Sequence, residues 1–159
     1  MTADAAATEL SALVWASAFE TGNPEIDREH RDLLLDINDL SELLARGEGW
    51  RPVVDRSRKL RDSCFRHFCD EERTFAKTKY QKLRLHKMEH RSIEQQLDTI
   101  LAFIEGVKHP SRVEIEAVLL LRAILVNHFF RFDIEYKAHL LELRRPKVTR
   151  SRASKAAPR

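Results

Sequence analysis

Two histidines interrupt an otherwise aliphatic stripe in the stretch LRLHKMEHRSIEQQL, residues 83–97. His86 and His90 are in register with Ile93 and Leu97, so that all four share one face of a predicted helix. That face is apolar enough to be buried, and a buried imidazole without a partner costs about 2 kcal/mol or more. The two histidines therefore need a partner, and imidazoles one helical turn apart are well placed to bind a metal ion.

The other predicted helices carry further potential ligands on their inward faces. His67 and Glu71 are also four residues apart, whereas Asp133 follows His128 by five. Residues four apart lie about 40° apart around a helix, and residues five apart lie about 140° apart. We therefore expect the Asp133 side chain to reach across, or the helix to be overwound or bulged there. The complete set of candidate metal ligands is His30, His67, Glu71, His86, His90, His128 and Asp133.

Five histidines and two carboxylates in one core would be very unfavourable without cations. A metal converts that cost into binding energy if the imidazoles are neutral and the carboxylates ionised. Seven ligands exceed the four of a tetrahedral zinc site. They suit two six-coordinate ions if both carboxylates bridge them, with an oxo or hydroxo bridge between, and mixed imidazole and carboxylate ligation suits iron. One alternative stays open, because HKMEH also matches the H-x-x-E-H motif of zinc peptidases, with Glu89 as the base.

The elements that must position these residues are four long amphipathic helices joined by short connections. The first follows TGNPEID and ends near Arg46, and the second spans about 52–78. The third follows a short break near KTKYQ and ends near Lys108, and the fourth spans about 112–144. The last is expected to bury Phe132 together with His128. Short connections favour antiparallel neighbours, so we predict an all-α, up-down-up-down four-helix bundle. We assign residues 1–23 to an N-terminal arm that folds back through Trp15 and Phe19, 24–144 to the bundle, and 145–159 to a disordered basic tail.

Composition restricts the class of protein. The 159 residues are 43% hydrophobic and 33% charged, and four glycines and five prolines leave little room for the turns of an all-β fold. Residues 144–159 hold seven basic and no acidic residues, which leaves a net charge of −4 on the rest. We therefore expect no nucleic-acid-binding face on the bundle, although the tail could contact a weak anionic partner.

Other features of the sequence bear on location and assembly. There is no apolar run of 18 residues, so membrane insertion is not expected. The first residues lack a basic segment and include Asp4 and Glu9, which is unlike a signal peptide, so we expect a cytoplasmic protein. Cys64 and Cys69 are about 140° apart on one helix and should not form a disulfide. We expect a monomer.

Taken together, four motifs resemble the hemerythrin family, and in particular its single-domain bacterial members, the bacteriohemerythrins. They are VWASAFETGNPEIDREH at 14–30, HFCDEE at 67–72, HKMEH at 86–90 and HFFRFD at 128–133. The resemblance covers roughly residues 14–140. It departs from the family at Lys79–Gln81, where a glycine and a proline usually flank the tyrosine, and at Ile124, where a tryptophan is common.

The resemblance implies a non-heme di-iron centre that binds O2 reversibly for carriage, storage or delivery, in a protein that is not an enzyme. One iron would be held by His86, His90 and His128. The other would be held by His30 and His67 and would keep an open position for O2, with Glu71 and Asp133 bridging the two. Leu125 would line the O2 pocket, with Phe68 and Phe129 as weaker candidates. Two alternatives use the same site: sensing of O2, NO or redox state, and a di-iron peroxidase or oxidase.

Overall fold

The computed structural model describes residues 11–47 and 49–145, and the long regular elements within them are helices. Four of them follow in chain order: α1 at Pro24–Arg46, α2 at Trp50–Lys77, α3 at Leu83–Glu105 and α4 at Arg112–His128. The chain then continues through a π-helical segment at Phe129–Asp133 into α5 at Ile134–Arg144. Each helix packs against the next, which confirms the antiparallel four-helix bundle, with α4, the π segment and α5 forming the fourth rod.

The ends of the helices are set by local chemistry that is visible in the sequence. The Asn23 side chain accepts hydrogen bonds from two backbone N–H groups in the first turn of α1, directly before Pro24. Gly47 ends α1 with a φ of 63°, a left-handed conformation in which a side chain would be strained. Ser111 and Glu114 form a capping box at the start of α4, as their spacing predicts.

The interior contains two apolar clusters. The larger one fills most of the bundle and includes Leu33, Leu60, Phe68, Leu97 and Leu125. The smaller one lies at the end near the α2–α3 connection and consists of Ile26, Phe75, Tyr80 and Tyr136. Phe68 of the larger cluster and Phe75 of the smaller one each touch a candidate ligand, so the polar residues lie between the two clusters.

The N-terminal arm lies on the bundle from residue 11 onward. Asn38 of α1 holds Leu13 through two hydrogen bonds of 2.8 Å, one to the backbone carbonyl and one from the backbone N–H. Phe19 is buried and packs against Phe130 with a ring-centroid separation of 4.4 Å. Trp15 stacks on Phe19. The arm therefore covers the seam between α1 and the fourth rod.

The structure bears on several smaller expectations. Cys64 is buried and Cys69 exposed, and both are free. None of the described helices is long and apolar enough to cross a lipid bilayer. The predicted disorder of the basic tail concerns residues that, apart from Arg145, lie outside the described part of the chain.

Candidate metal centre

The seven candidate ligands are brought together in the middle of the bundle. All of them are buried, with no more than 3% of any residue exposed to solvent. Their ligand atoms form two groups, and within each group the atoms lie within 4.8 Å of one another. One group is Glu71, His86, His90, His128 and Asp133, and the other is His30, His67, Glu71 and Asp133. The two groups share both carboxylates but no histidine: the larger group has three histidines and the smaller group has two.

The imidazoles direct their Nε2 atoms toward this centre. The Nε2 atoms of His30 and His67 are 3.2 Å apart, and those of His90 and His128 are 3.1 Å apart. His86 Nε2 lies 2.8 Å from Glu71 Oε2. Because all five rings present the same nitrogen, five lone pairs can converge on a small volume when the Nδ1 atoms carry the protons.

The two carboxylates are placed between the groups. Asp133 has its Oδ1 3.0 Å from His128 Nε2 and its Oδ2 3.2 Å from His30 Nε2, so that each oxygen faces a different group. Glu71 Oε2 lies near two histidines of the larger group, at 2.8 Å from His86 and 3.2 Å from His90. Asp133 therefore has the orientation that a bridging ligand requires, and Glu71 lies within 4.8 Å of the ligand atoms of both groups.

The hydrogen bonding of these carboxylates tests whether the residues fit metal ions. Glu71 Oε1 is buried and has no hydrogen-bond partner among the described residues, and the buried oxygens of Asp133 have only the Nε2 atoms of His128 and His30 close to them. Buried carboxylate oxygens without hydrogen bonds are destabilising, and cations between them would supply the missing interaction. Imidazole nitrogens with carboxylate oxygens are a donor set that suits iron. The residues thus fit a pair of such cations.

Protonation in the metal-free protein follows from burial and mutual proximity. Burial, and then the charge of Asp133, raise the pKa of Glu71 well above its ordinary value. Burial would also raise the pKa of Asp133, but His128 and His30 outweigh it and hold that pKa well below the usual range. Burial lowers the pKa of His67 to about 4 and also lowers that of His90. These two imidazoles are therefore neutral at pH 7, which is the form that binds metals.

The position of Asp133 depends on the π-helical segment. A π-helix bonds residue i to residue i+5, so five residues make roughly one turn, and Asp133 comes back to the side of His128. From the sequence we expected either a side chain that reaches across or a helix that is overwound or bulged, and the structure shows the bulged helix. In this π-helical segment Phe129 is buried, whereas Phe132, which we expected to face inward, is only half-buried.

Two further carboxylates contact candidate ligands and were missed in the sequence. Glu29 Oε2 lies 2.9 Å from His67 Nδ1, and Glu72 Oε1 lies 3.0 Å from His90 Nδ1. A hydrogen bond from Nδ1 fixes the tautomer that leaves Nε2 free and holds the ring in place. Glu29 directly precedes His30, and Glu72 directly follows Glu71. Each glutamate nevertheless contacts a histidine of the neighbouring helix.

Apolar rings flank the centre. Phe68 stacks on His90 with a centroid distance of 4.0 Å, and Phe129 stacks on His30 at 4.5 Å. Phe129 also contacts His67, so it touches both histidines of the smaller group. Leu125 is fully buried one turn before His128.

The zinc-peptidase alternative is not favoured by this arrangement. Glu89, which that motif would use as a base, is half-buried and lies outside both ligand groups. His86 and His90 instead share their group with ligands from two other rods.

Comparison with known proteins agrees with the motifs. The model of the hemerythrin HHE cation binding domain matches residues 21–140. The chain is 32% identical over 126 residues to a myohemerythrin from Theromyzon tessulatum, which covers 79% of this chain and 92% of the relative. It is 34% identical over 89 residues to a bacteriohemerythrin from Clostridium acetobutylicum, covering 54% and 69%. A hemerythrin-like protein from Naegleria gruberi is 30% identical over 126 residues, covering 79% and 92%.

Proposed function

Because the chain belongs to the hemerythrin family, we propose that it binds O2 reversibly at two iron ions held by the buried cluster. The observation that supports this proposal is a pair of ligand groups that share Glu71 and Asp133, one with three histidines and the other with two. We take residues 24–144 as the domain that performs this function. Such a pair of ions would supply an open coordination position and the electrons that O2 requires.

The chain's side chains divide into holding and bridging roles. His86, His90 and His128 would hold one ion, and His30 and His67 would hold the other. Glu71 and Asp133 would bridge them, since each lies close to both groups. The smaller group provides one protein ligand fewer, so O2 would bind on the side of the two histidines.

The proportion of ligand types supports binding over catalysis. Di-iron oxidases in helical bundles typically use a carboxylate-rich set with Glu-x-x-His pairs. Here five imidazoles outnumber two carboxylates. Fewer anionic ligands stabilise high-valent iron less, which favours release of intact O2 over cleavage of its O–O bond.

The surroundings of the smaller group support the same function. Phe129 covers His30 and His67, and Phe68 and Leu125 belong to the same apolar cluster. An apolar wall admits neutral O2 while it excludes water and protons, which would promote irreversible oxidation. We therefore assign Phe129, with Leu125 and Phe68, to the O2 pocket.

The decisive experiment is an optical spectrum of the anaerobically reduced, iron-loaded protein before and after exposure to air. A charge-transfer band that appears with O2 and disappears under vacuum is expected, together with two irons per chain by metal analysis. A colourless preparation from iron-fed cells would refute the proposal, and so would one zinc per chain. Rapid turnover of hydrogen peroxide by the reduced protein would favour the peroxidase alternative.

A further inference from the structure

A cleft between α1 and α2 leads from the surface to the candidate metal centre. It has a volume of about 270 Å³, and the imidazole of His67 forms part of its wall. His67 and His86 are the least buried of the seven candidate ligands, and His67 Nε2 lies 3.2 Å from His30 Nε2 in the smaller group. One side chain therefore separates the cleft from the centre. The polar residues that define this α1–α2 cleft are Glu29, Asp32, Asp36, Arg66, His67 and Asp70.

The charge of the α1–α2 cleft is negative. Its walls carry four carboxylates, and Arg66 is the one lysine or arginine among the described residues that line it. The guanidinium of Arg66 donates a hydrogen bond of 3.1 Å to Ser63 Oγ. An excess of one sign of charge between protein walls raises the local concentration of the opposite ion. The cleft is therefore expected to attract cations.

Two of the four carboxylates have no compensating cation. Glu29 contacts His67 Nδ1 but makes no ion pair with a lysine or arginine in the part of the chain that the structure describes, and neither does Asp32. They are three residues apart on α1, where like charges repel each other. Asp36 and Asp70, in contrast, are each paired with an arginine. The two unpaired carboxylates thus leave room for a mobile cation.

The other approaches to the centre carry positive charge. Glu72, which contacts His90 as Glu29 contacts His67, has Lys87 Nζ 3.2 Å and Arg91 4.0 Å from its Oε2. A second cleft between α1 and α2 shares Glu29 with the first, but there three carboxylates face three cations, Arg28, Arg73 and Lys77. A metal ion would be repelled more strongly on either of these paths.

Behind His67 lies a buried oxygen that lacks a partner. Glu71 belongs to the same ligand group as His67, is fully buried, and its Oε1 has no hydrogen-bond partner among the described residues. A cation that passes His67 would satisfy this oxygen. Carboxylates therefore lie on both sides of the His67 ring, exposed ones outside and an unsatisfied one inside.

We propose that divalent cations enter and leave the centre through the α1–α2 cleft, with Asp32 as the outer carboxylate and Glu29 as the last one before His67. Glu29 is suited to this role because its side chain is 25% exposed while its Oε2 lies 2.9 Å from His67 Nδ1. A cation that binds Glu29 weakens this hydrogen bond and frees the imidazole to turn. The inference rests on the proposed function in one respect, namely that the centre holds cations.

The test is the rate at which the metal-free, full-length protein takes up cobalt(II), followed by the visible absorption of the bound ion. Cobalt(II) suits a site of imidazoles and carboxylates, and its uptake does not involve O2. At low ionic strength Asp32→Asn should slow uptake about threefold and Asp32→Lys at least about tenfold, because steering by charge contributes factors of about 10 to 1,000. Arg66→Gln should accelerate it. These differences should shrink at about 1 M salt.

The matched control is Asp98→Asn, which removes the same charge from an ion pair with Arg61 on the α2–α3 side, outside the cleft. Circular dichroism checks that each metal-free variant is folded. Release of cobalt(II) from the loaded protein to an excess of chelator provides a second measurement that starts from the folded, loaded state. Because entry and exit share one path, Asp32→Lys should slow release as well, and the equilibrium affinity should change less than the uptake rate.

The possible outcomes separate this inference from the proposed function. Equal uptake rates for Asp32→Lys and Asp98→Asn would overturn the inference, because cations would then use another path. Slower uptake with unchanged release would overturn it too, since Asp32 would then act on affinity rather than on passage. Uptake that depends on Asp32 in a protein that fails to bind O2 reversibly when loaded with iron would refute the function and support the path. A chain that binds no cation would overturn both.

Discussion

Removing the carboxylate behind His90 is expected to weaken iron binding without touching any ligand. Glu72 accepts the hydrogen bond from His90 Nδ1 at 3.0 Å, and its side chain is only 10% exposed. Lys87 Nζ lies 3.2 Å from its other oxygen, so the carboxylate is held firmly in place. Loss of such a partner typically lowers metal affinity 10- to 100-fold, which is about 1.4–2.8 kcal/mol.

Glu29 offers an internal comparison, because it makes the same contact with His67 in a wetter setting. Its side chain is 25% exposed, and water can replace part of the lost hydrogen bond. We therefore expect Glu72→Ala to lie near the upper end of that range and Glu29→Ala near the lower end. In both variants the lost hydrogen bond should also destabilise the metal-free fold, by about 1 kcal/mol.

The assay is an anaerobic competition between the protein and an iron(II) chelator of known affinity. Glu94→Ala is the control, since Glu94 lies one turn beyond His90 and pairs with Arg91 at 2.7 Å. Thermal melts of the metal-free variants separate the effect on folding from the effect on binding. If Glu72→Ala retained iron as tightly as Glu94→Ala, the carboxylate would not be holding His90 for the metal.

Four further outcomes follow from the structure. His90→Ala should bind fewer than two irons per chain, and unchanged stoichiometry would remove it from the ligand set. Leu125→Ala and Phe129→Ala should each accelerate autoxidation, followed as decay of the O2-dependent absorption band, by admitting water to the centre. Burial lowers the pKa of His67 from 6.5 to about 4, so between these pH values the imidazole is protonated in the unfolded chain and neutral in the folded protein. Denaturant titrations of the metal-free protein should show the free energy of unfolding fall by roughly 3 kcal/mol through this group as the pH falls from 6.5 to 4, and His67→Ala should remove that part of the pH dependence. Deleting residues 146–159 should leave the optical spectrum and the O2 affinity unchanged.

The helix faces and the grouping of the candidate ligands could be predicted because both follow from helical period. His67 with Glu71, and His86 with His90, share a face at any bundle geometry, since four residues make about one turn. Four apolar stripes in one domain must meet in one core, and polar residues on those stripes must meet as well. The convergence of the ligands was therefore implied before the helices were placed.

The hydrogen bonds from Glu29 and Glu72 could not be predicted in that way. Each glutamate lies about 100° round its helix from the neighbouring ligand, at the border between the buried and exposed faces. Whether such a side chain reaches a histidine on the next helix depends on the distance and rotation between two helices. Those quantities are set by packing of the whole core, and the sequence of either helix alone does not contain them.

The π-helical segment is the strongest local sign that the fourth rod is shaped by the centre. In a regular α-helix Asp133 would lie about 140° from His128, beside the exposed stripe of α4, where a carboxylate is solvated at no cost. The structure instead accepts poorer hydrogen-bond geometry over Phe129–Asp133 and buries that carboxylate completely. The same segment buries Phe129, but it also brings a carboxylate into the core with only the imidazoles of His128 and His30 beside its oxygens. A local departure from regular structure that buries an anion in this way agrees with a cation held between the two groups. Asp133 is therefore the residue whose placement argues most directly for cations between the two groups.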